Sequence, residues 1–149
     1  MTSNHAVLQS VSQLASTAHD SRTLMTETAR LLQRERPHYH WVGFYMLEGD
    51  VLVLGPFVGK LTEHVRIPLN QGICGAAAST GETVVIDDVT ADPRYLACSL
   101  ETRSEIVVPI RRDGRVMGEL DLDSDTPAAF TTDDRALLEQ VAEIIGTYL

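Results

Sequence analysis

The sequence predicts an α+β layer fold: a largely antiparallel sheet with helices packed on one face and loops on the other. Three observations predict it. Apolar residues recur at helical spacing at both ends of the chain, strand-like runs fill the middle, and short turn signals join neighbouring runs.

Val7, Val11, Leu14 and Ala18 fall at helical spacing, as do Leu24, Thr28 and Leu31 after a cap at Asp20 or Ser21, and Pro37 ends that run. "YHWVGFYML" is rich in aromatic and β-branched residues, "EGD" supplies a turn and "VLVLGPF" follows, which together read as a hairpin. "HVRIPL", "TVVIDDV", "SEIVVPI" and "RVMGELDLD" are further strands, and "RDG" is a tight turn between the last two. "NQGICGAAASTGET" reads as a turn at Gly72 and a short helix of small residues that Gly81 terminates. "FTTDDRALLEQVAEIIGTYL" forms a closing helix, with Thr131 or Thr132 as cap, acidic residues in its first turn, and Leu137, Val141, Ile144 and Tyr148 on one face.

With 149 residues, one domain spanning 1–149 is expected, large enough to bury a core without metal or disulfide staples. The hydrophobic fraction of 44% and charged fraction of 22% are ordinary for a globular protein. The first residues lack the basic region and apolar run of a secretory signal, and no stretch reaches the roughly 18 apolar residues of a membrane span, so the expected compartment is the cytoplasm. Asp and Glu number 21 against 12 Lys and Arg, and the net charge of -9 repels phosphate backbones and anionic lipid. Nucleic acid and membrane are therefore not expected partners.

In "ELDLDSD" the strand period sends Leu120 and Leu122 to one face and Asp121 and Asp123 to the other. The "RDG" hairpin brings Glu105 to the same end, so three carboxylates can converge. Such a cluster repels itself and calls for solvent, raised pKa values or a cationic ligand such as an ammonium group. The residues alone leave two alternatives open: a solvated outer face, or a metal site, against which stand five scattered histidines and no ligand spacing. No metal is expected.

The two cysteines are Cys74 and Cys98. Cys74 falls near the start of the short helix, where the helix dipole and free N–H groups favour a thiolate; the alternative is a small buried hydrophobe. Cys98 follows "DPRY", between Arg94 and Arg103, a setting that can expose and acidify it or simply anchor the loop. Their separation matches neither a CxxC redox pair nor a zinc knuckle.

Taken together and in order, "WVGFY", "LVLGPF", "VRIP", "GICGAAA", "ACSLETRSEIVVPI" and "GELDLDSD" resemble the GAF-domain enzymes that reduce free methionine-(R)-sulfoxide. The resemblance runs from about Trp41 to the closing helix. It implies a GAF fold, with the N- and C-terminal helices on one face of a central antiparallel sheet and the ligand pocket on the other. It implies Cys98 as nucleophile, Cys74 as resolving thiol, Glu105, Asp121 and Asp123 on the substrate's amino group, and Trp41 and Tyr45 near its methyl end. No bound cofactor is implied, only an external thiol reductant such as thioredoxin. A homodimer through terminal helices is the assembly expected by analogy. One departure stands out: the family's third cysteine, shortly before "VRIP", has no counterpart in "GKLTEHVRIP", where His64 takes its place. Glu119 replaces an apolar residue and reads as a residue of the pocket rim. The alternative function is a GAF module that binds or senses an amino-acid-like molecule without turnover.

Overall fold

The structure, a computed structural model, describes residues 2–95 and 101–149. Helix α1 (Asn4–Thr17) starts where the Ser3 hydroxyl accepts the Ala6 N–H, and α2 (Ser21–Glu35) starts where the Asp20 carboxylate accepts the Thr23 N–H at 2.7 Å. Helix α2 stops before Pro37, whose ring disfavours helical backbone at Arg36.

Strands β1 (Trp41–Glu48), β2 (Val51–Val58), β3 (Arg66–Pro68), β4 (Val84–Ile86), β5 (Ser104–Arg112) and β6 (Arg115–Ser124) form one sheet in the order β3-β2-β1-β6-β5-β4, each pair antiparallel. Both central residues of the β5–β6 turn, Asp113 and Gly114, have positive φ (53° and 77°), the geometry that matches a tight hairpin to strand twist. Two strands are shorter than their sequence patterns. "HVRIPL" pairs only over β3, and "TVVIDDV" stops at Ile86 because Asp88 turns instead to cap a short 3-10 turn, Val89–Ala91. Helix α3 (Gly72–Thr80) ends at Gly81 in the left-handed conformation, and α4 (Thr132–Tyr148) opens with a reciprocal Thr131–Asp134 capping box.

The sheet is covered on both sides. Helices α1, α2 and α4 pack Val11, Leu24, Leu32, Leu138, Val141 and Ile145 onto Val42, Phe44, Ile106, Val108, Leu120 and Leu122. The buried stripe of α4 follows Leu137, Leu138, Val141 and Ile145, leaving Ile144 at its margin. On the opposite face α3 sets Ile73, Cys74, Ala77 and Ala78 against Trp41, Tyr45, Leu52, Ile67 and Val107. Two-residue periodicity along β5 and β6 therefore sends Ile106, Leu120 and Leu122 into the helical layer and Glu105, Glu119, Asp121 and Asp123 beneath α3. Among the described residues no helix is long and apolar enough to cross a membrane.

Candidate active site

The register of the sheet assembles the acid face. Glu105 lies opposite Asp123, Val107 opposite Asp121 and Pro109 opposite Glu119, while β1 places Trp41, Gly43 and Tyr45 opposite Asp123, Asp121 and Glu119. Glu105, Glu119, Asp121 and Asp123 are only 4%, 0%, 2% and 2% exposed, which excludes the solvated outer face left open by the sequence. Glu119 also departs from its expected place at the rim: it is fully buried, next to Cys74 of α3.

This is an electrostatically costly arrangement. Among the described residues, both oxygens of Glu119 and one oxygen each of Asp121 and Asp123 have no hydrogen-bond partner, and no ion pair reaches these three side chains. Burial, followed by the charge of Asp121, pushes the Glu119 and Asp123 carboxyls well above the usual carboxylate range. Burial also raises Asp121, with hydrogen bonds from Glu105 and Cys74 working against the rise. Keeping protons on these groups is the protein's way of avoiding several uncompensated charges in a dry layer.

Cys74, the third residue of α3, sits directly on this cluster, its thiol donating to Asp121 across 3.4 Å from Sγ to Oδ2. Glu119 lies beside the thiol without reaching hydrogen-bond geometry. Gly75 permits the placement: a Cβ there would come within 2.8 Å of the Leu69 carbonyl oxygen, so any side chain would push α3 away from the Pro68–Leu69 backbone. The helix N-terminus does not acidify this thiol as the sequence led us to expect. Burial first, then the negative charges of Asp121, Glu119 and Glu105, push the Cys74 thiol well above its ordinary value, and these outweigh a helix-end effect of a few tenths to 1 kcal/mol.

A small cavity of about 10 Å³, room for about one water molecule, is lined by Tyr45, His64, Ile67, Ile73, Cys74, Glu105 and Asp121. The Tyr45 hydroxyl donates to the His64 carbonyl at 2.7 Å, which ties the β2–β3 connection to the site. His64, where the family resemblance leads one to look for a cysteine, thus lines the same cavity as Cys74. Trp41 and Asp123 share the sheet face but do not line this cavity. The Trp41 indole N–H donates to the Lys60 carbonyl at 3.0 Å, and its ring stacks on Phe57 at 5.6 Å. It also folds over Gly43, where a Cβ would fall 2.3 Å from the indole Cη2. Gly43 and Gly75 are two site-shaping residues for which sequence offered only the small side chain as a signal. Cys98, the expected nucleophile, lies outside the described residues.

The GAF-domain family model matches residues 20–149. Free methionine-R-sulfoxide reductase of Escherichia coli is 38% identical over 127 residues, covering 83% of this chain and 76% of the relative. This chain belongs to the GAF-domain free methionine-R-sulfoxide reductase family. Two solved structures of GAF-domain relatives carry the same fold. The type II free methionine-R-sulfoxide reductase of Thermoplasma acidophilum superposes with a TM-score of 0.84 at 41% identity, covering 91% of this chain and 94% of that one. Free methionine-R-sulfoxide reductase of Neisseria meningitidis, solved in complex with its substrate, gives 0.93 at 39% identity over 97% and 87% of the two chains.

Proposed function

We propose that this GAF domain reduces free methionine-(R)-sulfoxide to methionine. The observation that carries the reading is the cluster of buried acids beside Cys74 and beneath α3, in which Glu119, Asp121 and Asp123 keep oxygens without a partner among the described residues. A free amino acid brings a positive charge that these oxygens can take. Glu105, Asp121 and Asp123 hold the substrate's ammonium group, and Trp41 and Tyr45 pack its methyl end. An ammonium placed between these oxygens converts a repulsive cluster into charge-assisted hydrogen bonds.

Cys98 makes the first attack, because a thiol held protonated among buried carboxyls, as Cys74 is, makes a poor initial nucleophile. The Cys98 thiolate attacks the sulfoxide sulfur and takes the oxygen, a carboxyl of the ring supplies one proton, and methionine leaves behind a Cys98 sulfenic acid. The Cys74 thiol then displaces that hydroxyl as water and forms a disulfide, which an external dithiol such as thioredoxin reduces by exchange.

A second reading, an amino-acid sensor without turnover, is favoured by His64 at the place of the family's third cysteine. One experiment separates the two. The protein is mixed with free methionine sulfoxide and a thioredoxin system, and reductant consumption is followed. Turnover of the R epimer supports the reductase, and no turnover of either epimer leaves only the sensor.

A further inference from the structure

We propose that Cys74, Glu105 and Asp121 also form a site for one divalent cation of the zinc class, which excludes the substrate's ammonium group by occupying its place. One ligand atom from each of these residues lies within 4.8 Å of the other two, and all three residues are buried. The Cys74 Sγ to Asp121 Oδ2 distance is 3.4 Å. In a tetrahedral zinc site with Zn–S near 2.3 Å and Zn–O near 2.1 Å, neighbouring donors stand roughly 3.4–3.6 Å apart. The thiol and carboxylate are therefore spaced as two ligands of one ion before any ion arrives.

Two independent observations point to a cation here. Asp121 lines the cavity, is 2% exposed and keeps one oxygen without a partner among the described residues, while Glu119, fully buried behind the thiol, keeps both. The cavity itself, at about 10 Å³, is the size of a single water or ion. Three protein ligands leave the fourth tetrahedral position to a water molecule, the pattern of an open zinc site. A thiolate sulfur beside two carboxylate oxygens selects a borderline ion such as Zn²⁺ over Mg²⁺ or Ca²⁺, which take all-oxygen sets. The donors come from α3, β5 and β6, so no spacing in the sequence announces the site.

The test uses Co²⁺ as the optical substitute for Zn²⁺, added to the reduced full chain carrying Cys98→Ser. Cys74 is then the sole thiol. The expected result is one equivalent of Co²⁺ bound with thiolate-to-cobalt charge-transfer absorption, and an affinity at least about 10-fold weaker when Asp121→Asn is added, the scale on which supports of metal sites act. Circular dichroism checks that each variant is folded. Absence of the charge-transfer band, or unchanged affinity with a folded Asp121→Asn variant, overturns the metal site. Exclusion of substrate rests on the reductase reading, and methionine tests it separately. Displacement of Co²⁺ by methionine is expected. Methionine that binds but leaves the cobalt band intact overturns the shared site, whereas methionine that does not bind at all sinks the reading of the acid ring and leaves the cobalt result standing.

Discussion

Replacing Glu119 by leucine is expected to stabilise the protein, and the gain is expected to depend on pH. Glu119 is 0% exposed and neither carboxylate oxygen has a partner among the described residues. Leaving a buried polar group unsatisfied costs about 1–3 kcal/mol, which an apolar side chain of similar volume removes. In a chain of this size each kcal/mol moves the midpoint by about 2–4 °C, so Tm rises by roughly 2–12 °C near neutral pH. Burial and the neighbouring Asp121 raise the folded-state pKa of Glu119 above its ordinary 4.5. Below that value the carboxyl carries its proton in both folded and unfolded chains, and wild type loses nothing to ionisation. As pH rises past it, the unfolded chain releases the proton while the folded chain keeps it. Wild-type stability then falls by up to about 1.4 kcal/mol per pH unit until the folded pKa is reached. The advantage of Glu119→Leu should therefore widen from pH 4.5 towards neutrality. Urea and thermal unfolding of wild type, Glu119→Leu and Glu119→Gln at several pH values measure it. A leucine variant less stable than wild type at pH 7.5, or a stability gap that does not change with pH, would refute the picture of a buried, uncompensated acid.

Cys98→Ser is expected to abolish turnover, whereas Cys74→Ser impairs recycling by thioredoxin and retains activity with a small dithiol; reductant consumption under each regime distinguishes them. Alkylation of Cys74 in reduced protein carrying Cys98→Ser should run well below the rate of an exposed cysteine at pH 7, because its thiol pKa is raised by burial and by three acids. Gly43→Ala drives a methyl group into the Trp41 indole and should lower stability by about 1–3 kcal/mol while raising KM more than it lowers kcat. Tyr39→Phe removes a 2.5 Å hydrogen bond to Asp134 and should cost about 1.5–3 kcal/mol near neutral pH. Burial alone would raise the Asp134 pKa, but hydrogen bonds from Tyr39 and Thr131 prevail and lower it, so this stabilisation holds above pH 3.8 and fades as pH falls through the folded value. Chemical denaturation against pH reads that loss, opposite in sign to the one at Glu119.

The elements of this fold are legible in the sequence wherever local chemistry decides them. Asp20 and Thr131 cap their helices, Gly81 ends α3, and Asp113-Gly114 makes the hairpin, each through its own backbone preference. The alternation in "ELDLDSD" sorts apolar from acidic residues just as β6 does. It could not say whether the acidic face meets water, since that depends on α3 arriving from residues far away in sequence through Ile73, Ala77 and Ala78. For the same reason Glu119 looked like a rim residue and the Cys74 thiol looked acidified. A helix end is visible in sequence, while the burial that overrules it, and the three carboxyls that add to it, come from the packing of α3 on two distant strands. The short lengths of β3 and β4 were hidden too, because edge strands end where their single neighbour stops pairing.

The central claim is that the buried acids recognise the free amino group of a sulfur amino acid beside a thiol. Isothermal titration of the reduced Cys98→Ser protein with methionine-(R)-sulfoxide and with its N-acetyl derivative tests it most directly, since the two ligands share every group except the ammonium. Heat of binding with the free amino acid and none with the acetylated one is the predicted result; equal binding of both, or binding of neither, would contradict it.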